Sequence, residues 1–174
     1  MSAQDNMTGW IPTCDLCDDH KADSSGDFRV LPPIFESYGG KANFAGPVLT
    51  IQCFEDNSFV KSAVESNGEG RVLVVDGGAS LKKALVGGNL AATAARNGWA
   101  GIVVYGAVRD VRELRASNIG IRALALIPMP TEKKNVGEVG VDISIAGMIV
   151  CTGEWLYADE DGIVVSAKAI HKQQ

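Results

Sequence analysis

GRVLVVDGG at residues 70–78 and GIVVYGAVRD at residues 101–110 decide the fold. Each opens on glycine, runs through four or five apolar residues rich in valine, and closes on a polar residue near further glycines. A continuous apolar run of that length, bounded by turn residues, suits a strand covered on both faces, as in a parallel sheet. Working outward, VLTIQCF within Pro47–Phe54 and the segment Arg122–Ile127 read as further buried strands. Between them, residues 57–67 place Phe59, Ala63 and Val64 on one helical face, with Asp56 or Asn57 as the capping residue and Gly68 and Gly70 as the stop.

Residues 80–97 also carry a helical pattern, interrupted by Gly87-Gly88. Two adjacent glycines cost roughly 2 kcal/mol relative to alanine inside a helix, so the pattern reads as two helices with a glycine turn between them. The second starts near Asn89 and stops at Gly98. A short helix is expected after Asp110, reaching about Ala116. From residue 136 to 165 the chain is rich in glycine and β-branched residues, as antiparallel strands require, with Asp161-Gly162 as a tight hairpin turn. The expected architecture is α/β: a β/β/α sandwich with parallel strands between Cys53 and Ile127 and a more antiparallel C-terminal layer.

With 174 residues and 46% apolar composition the chain suits a single domain, 1–174. Residues 1–27 read as a polar, peripheral arm with a short helix over Thr13–Asp18, where Thr13 and Asp15 offer capping oxygens. A net charge of −5 and a pI near 5.0 argue against direct nucleic-acid binding, which needs clustered Lys and Arg to displace counterions. No apolar run approaches the ~18–20 residues of a membrane span, and the first residues have neither a basic start nor an apolar core. A cytoplasmic protein is expected. Cys14 and Cys17 form a single CxxC with only His20 nearby, which reads as ordinary thiols rather than a zinc or redox centre. His20 and His171 are the only histidines, so a histidine triad or His-rich metal cage is not expected.

Ligands of open parallel sheets bind beyond the carboxyl ends of the strands, which directs attention to the loops after Asp76 and Tyr105. In the second, Arg109 and Asp110 follow the strand directly, with Glu113 three residues on. A hard cation takes one or two such carboxylates and keeps several waters, and an arginine grips a carboxylate through two parallel hydrogen bonds. Taken alone, RDVRE also reads as a solvated helix face. Gly87-Gly88-Asn89-Leu90 offers the free backbone N–H groups of a helix start as an anion seat, or alternatively a plain turn between helices.

FEDN (54–57), GRVLVVDGGASLKKAL (70–85), NGWAGIVVYGAVRDVREL (97–114), NIGIRALALIP (118–128) and GEWLYADEDGIVVS (153–166) together resemble the RraA-like family, over nearly everything from Cys14 to Ser166. The resemblance implies a swivelling β/β/α domain that assembles as a homotrimer. Some members are class II pyruvate aldolases that cleave 4-hydroxy-4-methyl-2-oxoglutarate and also decarboxylate oxaloacetate; others bind and inhibit ribonuclease assemblies. The family's aldolase signature is an acid, or in a second version a glycine, followed by x20-R-D, with x2-E/D completing the glycine version. Gly88, Arg109, Asp110 and Glu113 match the glycine version. By that resemblance Arg109 contacts substrate, Asp110 anchors Mg2+ or Mn2+, and Gly87, Gly88, Asn89 and Leu90 bind a small 2-oxo acid through backbone amides. Where the other version places an acid this chain has Gly88, so that either Glu113 compensates or the activity is lower.

Two functions from different classes follow: a metal-dependent lyase, and a non-catalytic regulator that docks on a ribonuclease or helicase. Retention of Asp110 and Glu113 favours the lyase. VLVVDGG also has a superficial likeness to the strand and glycine turn of methyltransferase-type cofactor folds, but Gly77-Gly78-Ala79-Ser80 gives no GxGxxG.

Overall fold

A computed structural model describes residues 10–171. In chain order the first elements are α1 (Thr13–His20), β1 (Phe28–Val30), β2 (Glu36–Ser37), β3 (Phe44–Gln52), α2 (Ser58–Glu65), β4 (Val72–Asp76), β5 (Ala84–Val86) and α3 (Gly88–Arg96). They are followed by β6 (Gly101–Val108), α4 (Val111–Ala116), β7 (Gly120–Leu126), β8 (Glu138–Val139), β9 (Ile143–Ile145), β10 (Met148–Val150), β11 (Trp155–Ala158) and β12 (Ile163–Ser166).

The main sheet runs β1-β12-β11-β3-β4-β6-β7-β2, with β5 beside β6 and β8 beside β3; β9 and β10 form a separate hairpin. Strands β3, β4, β6 and β7 are mutually parallel, and the β11–β12 and β9–β10 pairs are antiparallel. Side-chain alternation divides the core into two layers. Leu73 and Val75 of β4 and Ile102 and Val104 of β6 pack toward α2 and α3 with Val60, Val64, Ala91 and Ala94. Val72, Val74 and Val103 face the opposite way, against Ile143, Ile145, Leu156 and Val165. This is the β/β/α sandwich that the sequence predicts.

Strand β3 joins the layers. Its first half, Phe44–Pro47, pairs antiparallel with β11, and its second half, Val48–Gln52, pairs parallel with β4. It begins three residues before the predicted Pro47. Gly46 is required in that first half, because a Cβ there would run into the carbonyl oxygen of Gly70.

The first of the two helices predicted over residues 80–97 is not formed. Ala84–Val86 is a buried strand beside Ala107 and Val108. The ladder wins because β6 continues to Val108: Arg109 N–H donates to Val86 O at 3.0 Å, and Ala84 N–H to Met129 O at 2.8 Å. Three apolar residues carry too little periodicity to separate strand from helix. The second helix is present as α3.

Residues 1–9 of the predicted arm lie outside the described residues; α1 is docked, whereas residues 21–27 are exposed. Leu16 is buried with Tyr157 and Val164. The expected caps, Thr13 and Asp15, do not cap α1. Thr13 is instead a donor: its N–H and hydroxyl each reach a carboxylate oxygen of Asp159 at 2.7 Å. Among the described residues, no helix is long and apolar enough to cross a membrane.

Candidate functional site

The carboxyl ends of β5 and β6 meet the start of α3, and every predicted site residue lies at that junction. Gly87 links β5 to α3 in extended backbone, with φ −126° and ψ −170°. Any residue adopts that conformation; glycine is needed for space, since a Cβ at 87 would lie 2.7 Å from Asp110 Oδ2 and 3.3 Å from Arg109 Cγ. Asp110 sits at the left-handed position φ 62°, ψ 50° immediately before α4. That turn aims its carboxylate back at α3, where Oδ2 accepts the N–H of Gly88 at 2.9 Å. Left-handed backbone on a non-glycine residue is uncommon, and Asp is among the residues that tolerate it.

Arg109 extends alongside, with Nε 3.8 Å from Asp110 Oδ2 and one terminal nitrogen 3.4 Å from the carbonyl of Pro128. Both side chains of this pair are 39% exposed, so the contact is a weak ion pair that leaves the guanidinium free to turn toward a ligand. Glu113, in the first turn of α4, folds back over Gly88: its Cβ lies 2.7 Å from where a Cβ of residue 88 would stand, and its Oε2 occupies that residue's side-chain space. The Asp110 and Glu113 carboxylates thus converge on the same glycine.

A pocket of about 260 Å³ opens in front of this junction. Gly87, Asn89, Leu90, Arg109 and Asp110 form one wall. The N–H groups of the first turn of α3 have no acceptor within the helix and carry the positive end of its dipole, which suits an anion. The facing wall contains residues that the sequence reading did not place here: Asn57, Lys61, Thr131 and Lys133. Asn57 joins the walls, donating from Nδ2 to Leu85 O at 3.1 Å and accepting from the Thr131 hydroxyl at 2.7 Å. Next to it, Asp56 Oδ1 accepts Ser58 N–H at 2.8 Å, and Oδ2 accepts the N–H groups of Lys134 at 2.6 Å and Val136 at 3.4 Å. Burial pushes the Asp56 carboxyl upward, but these hydrogen bonds outweigh it and hold the group below the ordinary Asp range. The FEDN block therefore fastens the loop 131–136 to the start of α2, and its presence was the one available signal for this wall.

No group of three or more His, Cys, Asp and Glu side chains converges as a metal cage among the described residues. A hard divalent cation such as Mg2+ needs no such cage, because it takes one or two carboxylates and completes its shell with water and ligand oxygens. Asp110 fits that role: Oδ1 accepts no hydrogen bond among the described residues, and Glu113 lies beside it.

The remaining candidates are structural. His20 Nδ1 pairs with Leu16 O at 2.9 Å, and His171 Nδ1 with the Tyr157 hydroxyl at 2.7 Å. Cys14 and Cys17 are free thiols. Both are raised above the ordinary thiol range, Cys14 by its hydrogen bond to Asp161 and Cys17 by burial, the opposite of a reactive redox pair. After Asp76 the glycine turn leads into β5 and not into a helix, so it offers no helix start for a cofactor phosphate.

A family model described as Aldolase/RraA matches residues 13–165. A protein from Albidiferax ferrireducens, provisionally named a 4-hydroxy-4-methyl-2-oxoglutarate aldolase, is 59% identical over 92% of this chain and 98% of its own. An Arabidopsis thaliana protein with the same provisional name is 49% identical over 90% and 95%. Among solved structures, the RNA-processing inhibitor RraA from Thermus thermophilis is 46% identical, with a TM-score of 0.86 over 91% of this chain and 94% of its own. A Geobacillus kaustophilus protein described as an S-adenosylmethionine:2-dimethylmenaquinone methyltransferase is 39% identical, with a TM-score of 0.86 over 92% and 97%.

Proposed function

Since the chain belongs to the RraA-like family, we propose that it is a divalent-metal-dependent class II pyruvate aldolase acting on 4-hydroxy-4-methyl-2-oxoglutarate, with oxaloacetate decarboxylation as a second activity. The observation that carries this reading is that the Asp110 and Glu113 carboxylates close on Gly88 while Arg109 lies against Asp110 and Gly87, with Arg109 and Asp110 lining the pocket.

In the cleavage, the bond between C3 and C4 breaks and its electron pair moves toward the 2-oxo group, leaving the enolate of pyruvate. The 4-hydroxyl gives up its proton and its carbon becomes the 2-oxo carbon of a second pyruvate. A water held at the Asp110 and Glu113 carboxylates receives that proton, and the enolate is then protonated at C3. Asp110 would hold Mg2+ or Mn2+, and the bound metal would supply Lewis acidity to the developing enolate. The backbone amides of Gly87, Asn89 and Leu90 hold the 1-carboxylate at the start of α3, while that of Gly88 stays with Asp110. Arg109 places a guanidinium against the oxygen on which charge develops, an interaction stronger in the transition state than in the ground state. Oxaloacetate yields the same enolate when carbon dioxide leaves, so one site serves both reactions.

The test is pyruvate release from both acids by purified protein with Mg2+, with Mn2+ and with a chelator, beside Arg109→Ala and Asp110→Ala. Metal-dependent turnover that both substitutions abolish supports the lyase. Turnover no greater than that of free metal refutes it.

The identity to an RNA-processing inhibitor favours a second reading: a non-catalytic regulator that binds a ribonuclease or helicase. Stoichiometric inhibition of such an enzyme, unaffected by Asp110→Ala, would carry that reading. Either function is proposed for a homotrimer, which light scattering after size exclusion checks directly.

A further inference from the structure

The hydroxyl of Tyr157 makes three hydrogen bonds to one short stretch of chain. Tyr157 stands on β11, 2% exposed, and its oxygen accepts the backbone N–H of Ile170 at 2.9 Å and that of His171 at 3.3 Å. The same oxygen lies 2.7 Å from His171 Nδ1. A hydroxyl has one hydrogen to give and two lone pairs to offer. The two backbone N–H groups occupy the lone pairs, so the O–H donates to Nδ1, and the imidazole is neutral with its hydrogen on Nε2. We propose that this arrangement is a proton-operated latch: neutral His171 clasps the C-terminal segment to β11, and protonation of the imidazole releases it.

Protonation works against each part of the network. An imidazolium carries hydrogen on both nitrogens, so Nδ1–H would meet an oxygen whose lone pairs are taken, and the phenolic hydrogen would lose its acceptor. Because Tyr157 is buried, water does not replace the lost partner. The surroundings give the cation little in return. His171 shares a pocket of about 160 Å³ with Trp10, Ile11, Ala45, Trp155 and Tyr157, and none of these residues is a carboxylate. The Trp155 ring, 4.7 Å from the imidazole, is the one favourable neighbour among them for a cation. The acids flanking β11 are engaged elsewhere, Glu154 with Arg29 and Asp159 with Thr13. Cys17 of α1 packs in the cluster around Tyr157 as a free thiol, and Lys168 on the segment itself adds like charge.

The latch controls a defined piece of chain. Ala167 is held separately, its N–H donating to Asp27 O at 2.9 Å, so the segment that depends on Tyr157 is Lys168–His171. Trp10 and Ile11 line the same pocket, so its opening also uncovers the residues that lead into α1. Histidine is the side chain whose ordinary charge change falls between about pH 5 and 8, which sets the range of the response. The latch has no lining residue in common with the pocket at α3 and is independent of the proposed activity.

The test is amide hydrogen exchange read by mass spectrometry on the full chain at about pH 5 and about pH 8, corrected for the pH dependence of the exchange chemistry. A peptide from β6 serves as the control for global opening. In the unaltered protein, protection of the peptide ending at His171 and beyond should be about 10-fold or more greater at the higher pH, while β6 is unchanged. His171→Asn keeps an acceptor near the position of Nδ1 but takes up no proton, and it should bring the ratio between the two pH values near one. Tyr157→Phe, which removes the oxygen, should also bring the ratio near one. Equal protection at both pH values in the unaltered protein overturns the latch. So does a ratio that persists in His171→Asn, which would assign the response to another group. A β6 peptide that loses protection in parallel in the unaltered protein overturns it as well, since the response would then be global. If Tyr157→Phe opens globally, the comparison between the unaltered protein and His171→Asn decides alone.

Discussion

The carboxylate of Glu113 fills the space that a side chain on Gly88 would need. The glycine at the start of α3 and the acid in the first turn of α4 are therefore one matched pair, which explains in steric terms why a glycine at 88 and an acid at 113 occur together in the signature. A carboxylate is delivered to the same place from the other helix.

Exchange of the pair is the first prediction. Gly88→Asp alone forces its side chain into Glu113 and should cost about 1–3 kcal/mol of stability, the usual range for overpacking. Glu113→Ala alone removes the acid and should lower the proposed metal-dependent activity. The double substitution Gly88→Asp/Glu113→Ala should recover both properties in part, with a coupling energy of ~0.5–3 kcal/mol by thermal unfolding. A double variant as unstable as the sum of the singles would contradict the pairing.

Asp110 separates conformation from charge. At φ 62° alanine is disfavoured by roughly 1–2 kcal/mol, whereas asparagine tolerates the left-handed region and can still accept the Gly88 N–H. Asp110→Asn should therefore unfold close to the unaltered protein and Asp110→Ala several degrees lower, while both lose metal-dependent pyruvate release. Retained turnover in Asp110→Asn would exclude the carboxylate as the metal anchor.

These two predictions mark where the sequence was legible. β4 and β6 announced themselves as apolar runs near glycines, β7 as the apolar stretch before Pro128, and Asp161-Gly162 marked its hairpin, because each signal is local. The spacing from Gly88 to Glu113 was readable through resemblance to a family. The facing wall of the pocket was not, because Thr131, Lys134 and Val136 are fixed by side chains 74 to 80 positions earlier. The same holds at α1, where the acceptor for Thr13 is Asp159, 146 positions away. Hydrogen bonds across such separations leave no periodicity to read.

The loop clamp gives a pH prediction. The Asp56 carboxyl is held below its ordinary value, so its contribution to stability is complete above the unfolded pKa of ~3.9 and is lost as pH falls through the lower folded value. Asp56→Asn, which keeps one acceptor oxygen but no charge, should cost about 1.5–3 kcal/mol near neutrality. The deficit should narrow as the pH drops below about 4. A deficit constant from pH 7 down to acid unfolding would show that the charge of Asp56 contributes nothing.

Cys53 follows β3 and lies against both the clamp and the strand β4, 5% exposed. Burial, reinforced by the nearby Asp56 and Asp76 charges, pushes its thiol up to about 12, so almost no thiolate exists at pH 8. Cys14 is exposed, and although Asp161 raises its thiol, reagent can reach it. Since the thiolate is the nucleophile, alkylation at pH 8 followed by mass spectrometry should label Cys14 first and Cys53 only at the rate of global unfolding. Labelling of Cys53 in native protein as fast as Cys14 would mean that the clamp opens without unfolding. The pocket wall bearing Lys61 and Lys133 would then be a moving element and not a fixed one.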